Sequence, residues 1–597
     1  MKKTLFSLLF FACLASVFAA EMPLISNVYG RDYVLLNGKW NYIIDPLENG
    51  YYDYRLQPFK DNGFFENKKP ATPSDLVEYD LDTAPIMDIP SDWNTKDARL
   101  FFYEGTVWFK RDFTLQKQAG KRYAIYFGAA NYDAKVWVNG KKVGEHIGGY
   151  TPFNFDVTDV VKDGANFVVV KVDNKRQRDG VPTVNMDWWN YGGITRDVML
   201  VALPETTIED YFIQLPKGKF DVISGWVKIN KSAANQQVTV EIPELKIKQN
   251  LKTDETGRAA FEIKAKPILW SPENPKLYDV NIISENEKIS DKIGFRTIET
   301  VGKEIRLNGK KVFLRGISIH EEAPFRQGRA CTKEDARTLL NWAKELGCNY
   351  VRLAHYPHNE FMVRSAEEMG FMVWSEIPVY WTISWGNEAT YQNAENQLHD
   401  MIYRDKNRCA VVIWSIANET PHSDARDLFL GKLAKYARTQ DNTRLISMAM
   451  EVASAKGNVN ELNDNMNEYV DVASFNQYVG WYRGTNEDAR NFVWNIPYNK
   501  PVIVSEFGGG ALYGLHGDKT ERWTEEYQEE LYIRNLEMLD KIDGLAGLSP
   551  WILVDFYSPR RALTGIQDYF NRKGLVSSSG NKKKAFFVLQ KFYNDKK

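Results

Sequence analysis

The chain has 597 residues, which is more than one hydrophobic core usually organises, so its length predicts about three or four domains. Its composition is 44% hydrophobic and 26% charged, with a formal net charge of -2, as in an ordinary globular protein. A net charge so close to zero provides no basic field for a polyanion, so we expect no nucleic-acid partner.

The first residues, 1–20, are predicted to be a secretory signal peptide. Lys2 and Lys3 precede an apolar stretch at residues 5–18, and small alanines follow. That order predicts export across the inner membrane, with the periplasm as the expected compartment. Cys13 offers a lipid anchor as the less favoured alternative, because the residues before it fit such a site poorly. No later apolar stretch reaches the roughly 18 residues that a membrane span needs, so no span is expected.

The cysteines and histidines indicate neither a disulfide framework nor a metal site. Cys331, Cys348 and Cys409 would remain after cleavage, an odd number with wide spacing, so we expect buried free thiols. His355 and His358 are separated by a sequence containing proline, which breaks helical spacing, and no third ligand is evident. Structural or substrate-facing histidines are therefore favoured over metal ligands.

The first half of the chain is predicted to be all β. Short alternating or β-branched runs such as AKVWVNG, NFVVVKV and VTVEI are separated by turn residues. We place a first β-sandwich at residues 21–204 and an immunoglobulin-like β-sandwich at residues 205–300. Asn-Gly pairs, which tight hairpins favour, begin at Asn37, Asn139 and Asn308.

After residue 300 strand-like runs alternate with helical stretches. Eight runs are candidate strands: VFLRGISI, NYVRLA, MVWSEI, VVIWSIA, LISMAM, VASFNQY, PVIVSEF and GLSPWILV. Segments such as EDARTLLNWAKEL and HNEFMVRSAEEM between them are helical in pattern. This alternation predicts a (β/α)8, or TIM, barrel at residues 301–597, with an active site at the carboxyl ends of the strands.

Polar and aromatic side chains are concentrated at those strand ends. They are His320, Glu321, Arg352, His355, Glu376, Asn418, Glu419, Asn476, Tyr478, Glu506, Trp551 and Asp555. Glu419 and Glu506 follow the fourth and seventh strands, so they can face each other across the barrel mouth. Cleavage of a glycosidic bond needs one protonated carboxyl and one ionised carboxylate. A glutamate is more often exposed or salt-bridged, but the apolar strand before each of these favours a site.

Several of these segments resemble glycoside hydrolase family 2, which includes β-galactosidases, β-mannosidases and β-glucuronidases. RDKNRCAVVIWSIANE at 404–419 and NYVRLAHYP at 349–357 resemble the two signatures of that family. LNGKWNY, YFGAANYDAKVWVNG and WWNYGGITR resemble its amino-terminal domain. The resemblance spans nearly all of the chain after residue 20, and it implies that residues 21–204 form a sugar-binding-like jelly roll.

The resemblance also implies the chemistry of the strand-end residues. It implies a retaining exo-β-glycosidase in which Glu419 is the general acid/base and Glu506 is the nucleophile. Asn418 would bond the 2-hydroxyl of the sugar, and Tyr478 would orient the nucleophile. This two-carboxylate mechanism requires neither a metal nor an organic cofactor.

The sugar is indicated by NRKG at 571–574. In the β-glucuronidases of the family an Asn-x-Lys motif binds the carboxylate of the sugar, and Asn571 and Lys573 match it. An ammonium beside an amide donor suits a carboxylate, whereas a neutral hexose needs neither. By the same resemblance Asp187, His320 and Trp551 would contact the sugar. These assignments have structural alternatives, which are an exposed basic turn for NRKG, a turn cap for Asp187, and core packing for His320 and Trp551.

The expected substrate is therefore a β-D-glucuronide or an oligosaccharide that ends in a uronic acid. A β-galactosidase or β-galacturonidase on the same scaffold is the main alternative, because no motif reports the configuration at C4. A carbohydrate-binding protein without catalysis is less favoured, since it would not need both Glu419 and Glu506. Members of the family are often dimers or tetramers, so a homo-oligomer is compatible with the resemblance, although no interface is evident.

The segment after Glu376 is short. Fewer than thirty residues separate it from Arg404, where some relatives carry a long lid-like insertion. We therefore expect an open mouth that accepts bulky or oligosaccharide glucuronides better than small ones.

Overall fold

The computed structural model describes residues 22–59, 72–74, 79–326, 328–452 and 457–597. The predicted signal peptide at 1–20, and Cys13 within it, lie outside the described residues. Within the described ranges, no helix is both long and apolar enough to cross a membrane.

The described residues up to Pro204 form a β-sandwich of two antiparallel sheets. One sheet has four strands, in the order Asp32–Leu35, Val198–Pro204, Lys121–Phe127 and Phe153–Asp156. The other has six, in the order Ile86–Ile89, Gly38–Ile44, Thr106–Leu115, Gly164–Asp173, Asp133–Val138 and Lys141–Ile147. A short pair joins Ala130–Asn131 to Gly193–Ile194. Trp40, Phe109 and Ile125 are buried between the two sheets, because alternate positions of these strands are apolar.

The Asn-Gly pairs do not all form hairpins. Asn139 and Gly140 have φ of 50° and 83°, and Asn308 and Gly309 have φ of 53° and 75°, as a two-residue type I′ turn requires. Both of these pairs join neighbouring antiparallel strands. The hairpin expected at Asn37 is wrong, because the strands before and after it belong to different sheets.

An immunoglobulin-like sandwich follows. Its three-stranded sheet contains Ile208–Gln214, Val222–Ile229 and Arg258–Lys264. Its four-stranded sheet is ordered Ile247–Lys252, Gln237–Ile242, Tyr278–Ser284 and Lys288–Ile293. Tyr211, Val240 and Ile282 are buried between the sheets. The strands Ile298–Val301, Glu304–Leu307 and Lys310–Lys311 then lead into the barrel.

The carboxyl-terminal half is a closed parallel barrel, as predicted. Its strands are Leu314–Arg315 with Ser318–Ile319, Tyr350–Leu353, Met372–Glu376, Val411–Asn418, Leu445–Met450, Ala473–Asn476, Val502–Glu506 and Leu545–Leu548. The first strand closes the barrel, because its two pieces pair with the eighth and the second strand respectively. Gly316 between the pieces admits no side chain, since a Cβ would lie 2.2 Å from the Tyr350 ring.

Six α-helices surround the described part of the barrel. They are Lys333–Glu345, Glu360–Met369, Glu388–Asp405, Asp424–Gln440, Glu525–Leu539 and Lys584–Asp595. The first begins with a capping box, in which Thr332 and Asp335 bond each other's backbone N–H groups. In the described residues after the fifth and sixth strands, short 3-10 helices at Asn465–Glu468 and Glu487–Asn491 replace α-helices.

The first sandwich reaches the barrel mouth through the loop at 185–191. The backbone N–H of Trp189 in that loop donates to the carbonyl of Tyr557, which follows the eighth barrel strand, at 3.0 Å. Arg196 of the same sandwich forms a buried ion pair with Glu321 of the barrel at 3.0 Å. The Trp189 contact holds this loop at the mouth, and the Arg196 ion pair holds the first sandwich against the barrel. The expectation of buried free thiols is confirmed at Cys331, Cys348 and Cys409.

Candidate active site

Glu506 ends the seventh barrel strand and is held at both carboxylate oxygens. Its Oε1 accepts a hydrogen bond from Nη1 of Arg352 at 2.6 Å. Its Oε2 accepts one from the hydroxyl of Tyr478 at 2.6 Å. The residue is 4% exposed, and these hydrogen bonds fix the orientation of its carboxylate.

Arg352, at the end of the second strand, is the centre of a buried charge network. Besides Glu506, it donates to Glu376 Oε1 at 3.0 Å and to Asn418 Oδ1 at 2.7 Å. Burial alone would raise the pKa of Glu376, but the positive charge of Arg352 and a hydrogen bond with His355 outweigh it and lower the pKa to about 2. We call Arg352, Glu376, Asn418 and Glu506 the charge network.

Glu419 lies beside this network but in a different environment. Its φ of 47° turns the chain out of the straight fourth strand. Its Oε1 accepts from the amide of Asn476 at 3.0 Å, and its Oε2 accepts from the indole N–H of Trp381 at 2.8 Å. Burial, and then the negative charge of Glu506, raise the pKa of Glu419 to about 7. It can therefore hold or release a proton near neutral pH.

Asn418 presents an unused donor at the same place. Its Oδ1 accepts from Arg352 and, at 3.2 Å, from Asn476. Its buried Nδ2 has no hydrogen-bond partner among the described residues. An amide donor left in this state is available to a hydroxyl of a bound ligand.

His320 and Trp551 join the network through aromatic contacts. The Trp551 ring stacks on the His355 ring, with the two ring centroids 4.7 Å apart. It is nearly perpendicular to the His320 ring, and those two centroids are 5.2 Å apart. Nδ1 of His320 is 3.1 Å from the hydroxyl of Tyr356, while the buried Nε2 has no partner in the described ranges. Burial, and then the nearby His355, hold the pKa of His320 well below its ordinary value. His320 is therefore neutral and can bond a hydroxyl.

Asn571 and Lys573 are buried, so the alternative of an exposed basic turn is wrong. Oδ1 of Asn571 accepts from the backbone N–H of Lys573 at 3.2 Å. The Lys573 ammonium donates to the hydroxyl of Tyr482 at 2.8 Å and lies 5.6 Å from the ring centroid of Tyr478. Within the described chain no carboxylate lies within ion-pairing distance of this ammonium. Burial lowers the pKa of Lys573.

Asp187 of the first sandwich meets the same corner of the mouth. Its Oδ1 accepts from the hydroxyl of Ser558 at 2.6 Å and from Nε of Arg561 at 3.1 Å. Its Oδ2 accepts from Nη2 of Arg561 and, at 3.4 Å, from the amide of Asn571. All of these partners belong to the barrel, so its side chain does not cap a turn in its own loop. We call Asp187, Arg561, Asn571 and Lys573 the cationic corner.

All of the predicted site residues therefore belong to one connected set of contacts: Asp187, His320, Asn418, Glu419, Tyr478, Glu506, Trp551, Asn571 and Lys573. Two acids at strand ends have structural roles instead. Asp555 accepts from Lys583 at 2.8 Å and from the backbone of Gly574 at 2.9 Å, so it supports the NRKG loop. Glu321 is paired with arginines away from Glu419 and Glu506.

The sequence did not predict three residues of the site. Trp381 lies in the loop after the third strand, and Arg561 lies in the loop after the eighth. Tyr482 lies four residues after Tyr478, in the loop after the sixth strand. Their position after strand ends was the only available signal, since none lies in a recognisable motif. In the described part of the chain, no group of three or more His, Cys, Asp and Glu side chains could hold a metal ion.

Two β-sandwich domains followed by a barrel with paired carboxylates at its mouth form the architecture of a glycoside hydrolase. Residues 34–204 match the family profile "Glycosyl hydrolases family 2, sugar binding domain", and residues 206–296 match "Glycosyl hydrolases family 2". Residues 298–596 match "Glycosyl hydrolases family 2, TIM barrel domain". The chain therefore belongs to glycosyl hydrolase family 2.

Its curated relatives include enzymes from two bacteria. The chain is 29% identical over 568 residues to a "Putative beta-glucuronidase" of Formosa agariphila, a match that covers 85% of this chain and 66% of the relative. It is 28% identical over 562 residues to a "Beta-glucuronidase" of Paenibacillus borealis, covering 85% of this chain and 91% of that one. The chain thus spans just under two thirds of the first relative and nearly all of the second.

Solved structures share the whole architecture. A beta-glucuronidase from an uncultured Clostridium sp. superposes with a TM-score of 0.78 at 26% identity, covering 96% of this chain and 100% of that one. A beta-galacturonidase from Eisenbergiella tayi bound to galacturonate has a TM-score of 0.78 at 24% identity, covering 95% and 97%. The second likeness concerns the fold alone.

Proposed function

We propose that the protein is a retaining exo-β-glycosidase that hydrolyses β-D-glucuronides. The observation that carries the proposal is the Lys573 ammonium, which is buried and has no carboxylate partner among the described residues. A buried, unpaired charge is costly, and a ligand carboxylate would offset that cost. The beta-glucuronidases among the relatives and the solved structures support the same substrate class.

In the first step Glu506 attacks the anomeric carbon and Glu419 donates its proton to the leaving oxygen. The bond from the anomeric carbon to the leaving oxygen breaks as the bond to a Glu506 oxygen forms, which gives a covalent glycosyl-enzyme ester. The bonds from Arg352 and Tyr478 orient the attacking carboxylate. The pKa of Glu419, about 7, supports its role as the acid.

In the second step Glu419 acts as a base. It takes a proton from a water molecule that attacks the anomeric carbon, and the ester to Glu506 breaks. Two displacements at one carbon restore the β configuration. Glu506 is released as a carboxylate, and Glu419 is again protonated for the next cycle.

The glycone would be held at three points. Its carboxylate would accept bonds from Lys573 and Asn571, and its 2-hydroxyl would accept one from the unused Nδ2 of Asn418. Asp187, from the loop of the first sandwich that covers this side of the mouth, would close the far end of the pocket. Only a terminal sugar would then fit, which makes the enzyme exo-acting.

A β-galacturonide is the second candidate, because the cationic corner would serve its carboxylate equally. A neutral β-galactoside is disfavoured, since it would leave the buried Lys573 without an anion. Kinetics with p-nitrophenyl β-D-glucuronide, galacturonide, galactoside and mannoside test the proposal, with Lys573→Ala as control. We expect the glucuronide to have the highest kcat/KM and the variant to lose that preference. A galactoside that is the best substrate, with Lys573→Ala unaffected, would overturn the proposal.

Two further expectations concern the surroundings of the enzyme. We propose export to the periplasm through the leader at 1–20, which cell fractionation would test. Association into a homo-oligomer is a hypothesis for sedimentation analysis.

The short segment between Glu376 and the helix Glu388–Asp405 supports an open mouth, so glucuronosyl oligosaccharides should be better substrates than small aryl glucuronides. Equal or better efficiency on the aryl substrates would contradict this.

A further inference from the structure

We infer that Trp381 and Arg560 form the subsite for the leaving group, and that this subsite selects a sugar that carries an anionic group. The inference rests on the proposed function, because it takes Glu419 as the proton donor. It adds the chemical class of the leaving group, which the glycone contacts do not address.

Trp381 borders the place where the leaving group must lie. Its indole N–H donates to Oε2 of Glu419 at 2.8 Å. The acid gives its proton to the leaving oxygen, so a side chain bonded to the carboxyl of Glu419 lies next to the leaving sugar. Trp381 is only partly buried, with φ of 54°, in the loop after the third strand. A partly exposed indole face is a surface on which the apolar face of a sugar ring can pack.

Arg560 places a positive charge on the same surface. Its guanidinium carbon lies 5.0 Å from the ring centroid of Trp381. One of its Nη atoms donates to the side-chain oxygen of Asn185, in the sandwich loop that covers the mouth. Arg560 is exposed, and in the described part of the chain it has no carboxylate within ion-pairing distance. Most of its donors are therefore free for a ligand.

The neighbouring Arg561 has the opposite environment. It is paired with Asp187, which also bonds Asn571 of the cationic corner. The two consecutive arginines therefore divide between the two halves of the substrate. Arg561 has its carboxylate on the glycone side, while Arg560, on the side of Glu419 and Trp381, has none among the residues that the structure describes.

This arrangement favours an oxyanion on the leaving sugar. A guanidinium offers paired donors that match carboxylate or sulfate oxygens, and the ring beneath it would hold the sugar that carries them. A neutral sugar would gain the packing alone. An acidic oligosaccharide, either sulfated or containing a second uronic acid, is thus the substrate class that can contact both the Trp381 ring and the Arg560 guanidinium.

The test uses three disaccharides with the same β-glucuronosyl glycone, linkage and hexose. The hexose is unmodified in the first, sulfated in the second, and oxidised to a uronic acid in the third. We expect wild-type kcat/KM to be about fivefold higher for at least one acidic disaccharide than for the neutral one, as for a single exposed charge pair. Arg560→Gln should abolish that ratio and Arg560→Lys should keep part of it. Which acidic disaccharide is preferred identifies the anion.

Salt provides a second readout. Raising NaCl from about 0.05 M to about 0.5 M should reduce the ratio in the wild type, because an exposed charge interaction is screened, and leave it unchanged in Arg560→Gln. Arg258→Gln is the matched control, since Arg258 is also exposed and lies 4.6 Å from the ring of Trp226, but in the immunoglobulin-like domain. The Arg258→Gln variant should keep the wild-type ratio.

The inference is overturned if the wild type shows no preference for either acidic disaccharide, or if Arg560→Gln retains the preference. Failure to cleave any disaccharide, with p-nitrophenyl glucuronide still hydrolysed, would also overturn it while leaving the proposed function intact. Failure on p-nitrophenyl glucuronide as well would instead overturn the proposed function.

Discussion

The charge network and the cationic corner lie at the same barrel mouth but are built differently. The network comes from the ends of barrel strands, and each of its charged groups has an opposite charge within 3.0 Å. The cationic corner comes from segments of two domains that meet in the folded chain, where Asp187 bonds Arg561. It leaves the ammonium of Lys573 without a carboxylate in the described residues.

In the proposed mechanism, the charge network carries the chemistry and the cationic corner carries the recognition of the sugar. Paired charges on rigid strands keep a carboxylate in one orientation, which every substrate of the enzyme needs. An unpaired charge on a loop contributes mainly when the ligand supplies its partner. Substitutions in the first region should therefore lower the rate for all substrates, and those in the second should change which substrate is preferred.

The largest effect should come from Glu506→Gln. An amide cannot form the ester intermediate, so we expect kcat for p-nitrophenyl β-D-glucuronide to fall by at least about 10⁴-fold. The same loss is expected for every glycoside tested. Thermal unfolding of the variant serves as the folding control. Substantial turnover by a folded Glu506→Gln protein would remove Glu506 from the nucleophile role.

Glu419→Gln should have a smaller effect that depends on the leaving group. A poor leaving group needs the proton, so cleavage of methyl β-D-glucuronide should slow by about 10³-fold, whereas the first step with dinitrophenyl glucuronide should change little. Equal losses in that step for both substrates would show that Glu419 is not the acid.

The pH dependence of the rate tests the role of Glu419 as the acid. Glu419 must be protonated to act as the acid, and its pKa is raised to about 7, so the acid form is present below that pH. Wild-type kcat/KM for methyl glucuronide should therefore decrease as the pH rises through about 7. Glu419→Gln should lack this alkaline limb. A limb that persists in the variant would have another origin.

The smallest of these effects should come from the corner. Lys573→Met keeps the buried chain length but removes the charge, so kcat/KM for the glucuronide should fall by about 10- to 100-fold. Weak activity on the matching galactoside should stay the same or rise, because no ammonium is left without an anion. A parallel loss on both substrates would mean that Lys573 supports the fold of the mouth and not its selectivity.

The sequence predicted the regions with regular patterns best. The eight barrel strands, and Glu419 and Glu506 after the fourth and seventh, followed from apolar runs and the geometry of parallel barrels. Trp381 and Arg560 could not be predicted, because loops have no periodicity and their contacts depend on the folded mouth. The strand-end acids Glu376 and Asp555 look equivalent in sequence, yet one bonds Arg352 of the site and the other supports a loop.

The cationic corner was hard to predict because its residues are far apart in the sequence. The link from Asp187 to Asn571 spans 384 positions, and only the family resemblance suggested it. An exposed basic turn was the alternative interpretation of NRKG, because lysine and arginine are mostly exposed. Burial of Lys573, whose ammonium bonds the hydroxyl of Tyr482, rules out the exposed turn, and that contact depends on the packing of two loops.

Trapping of the covalent intermediate tests the central assignment most directly. A 2-deoxy-2-fluoro β-D-glucuronosyl fluoride should react and then stall, because the fluorine at C2 destabilises the oxocarbenium-like transition state while the fluoride leaves readily. Mass spectrometry of the digested protein should then find one added fluoroglucuronosyl group, on the peptide that contains Glu506. A label on any other residue, or an unlabelled protein that hydrolyses glucuronides, would contradict double displacement through Glu506.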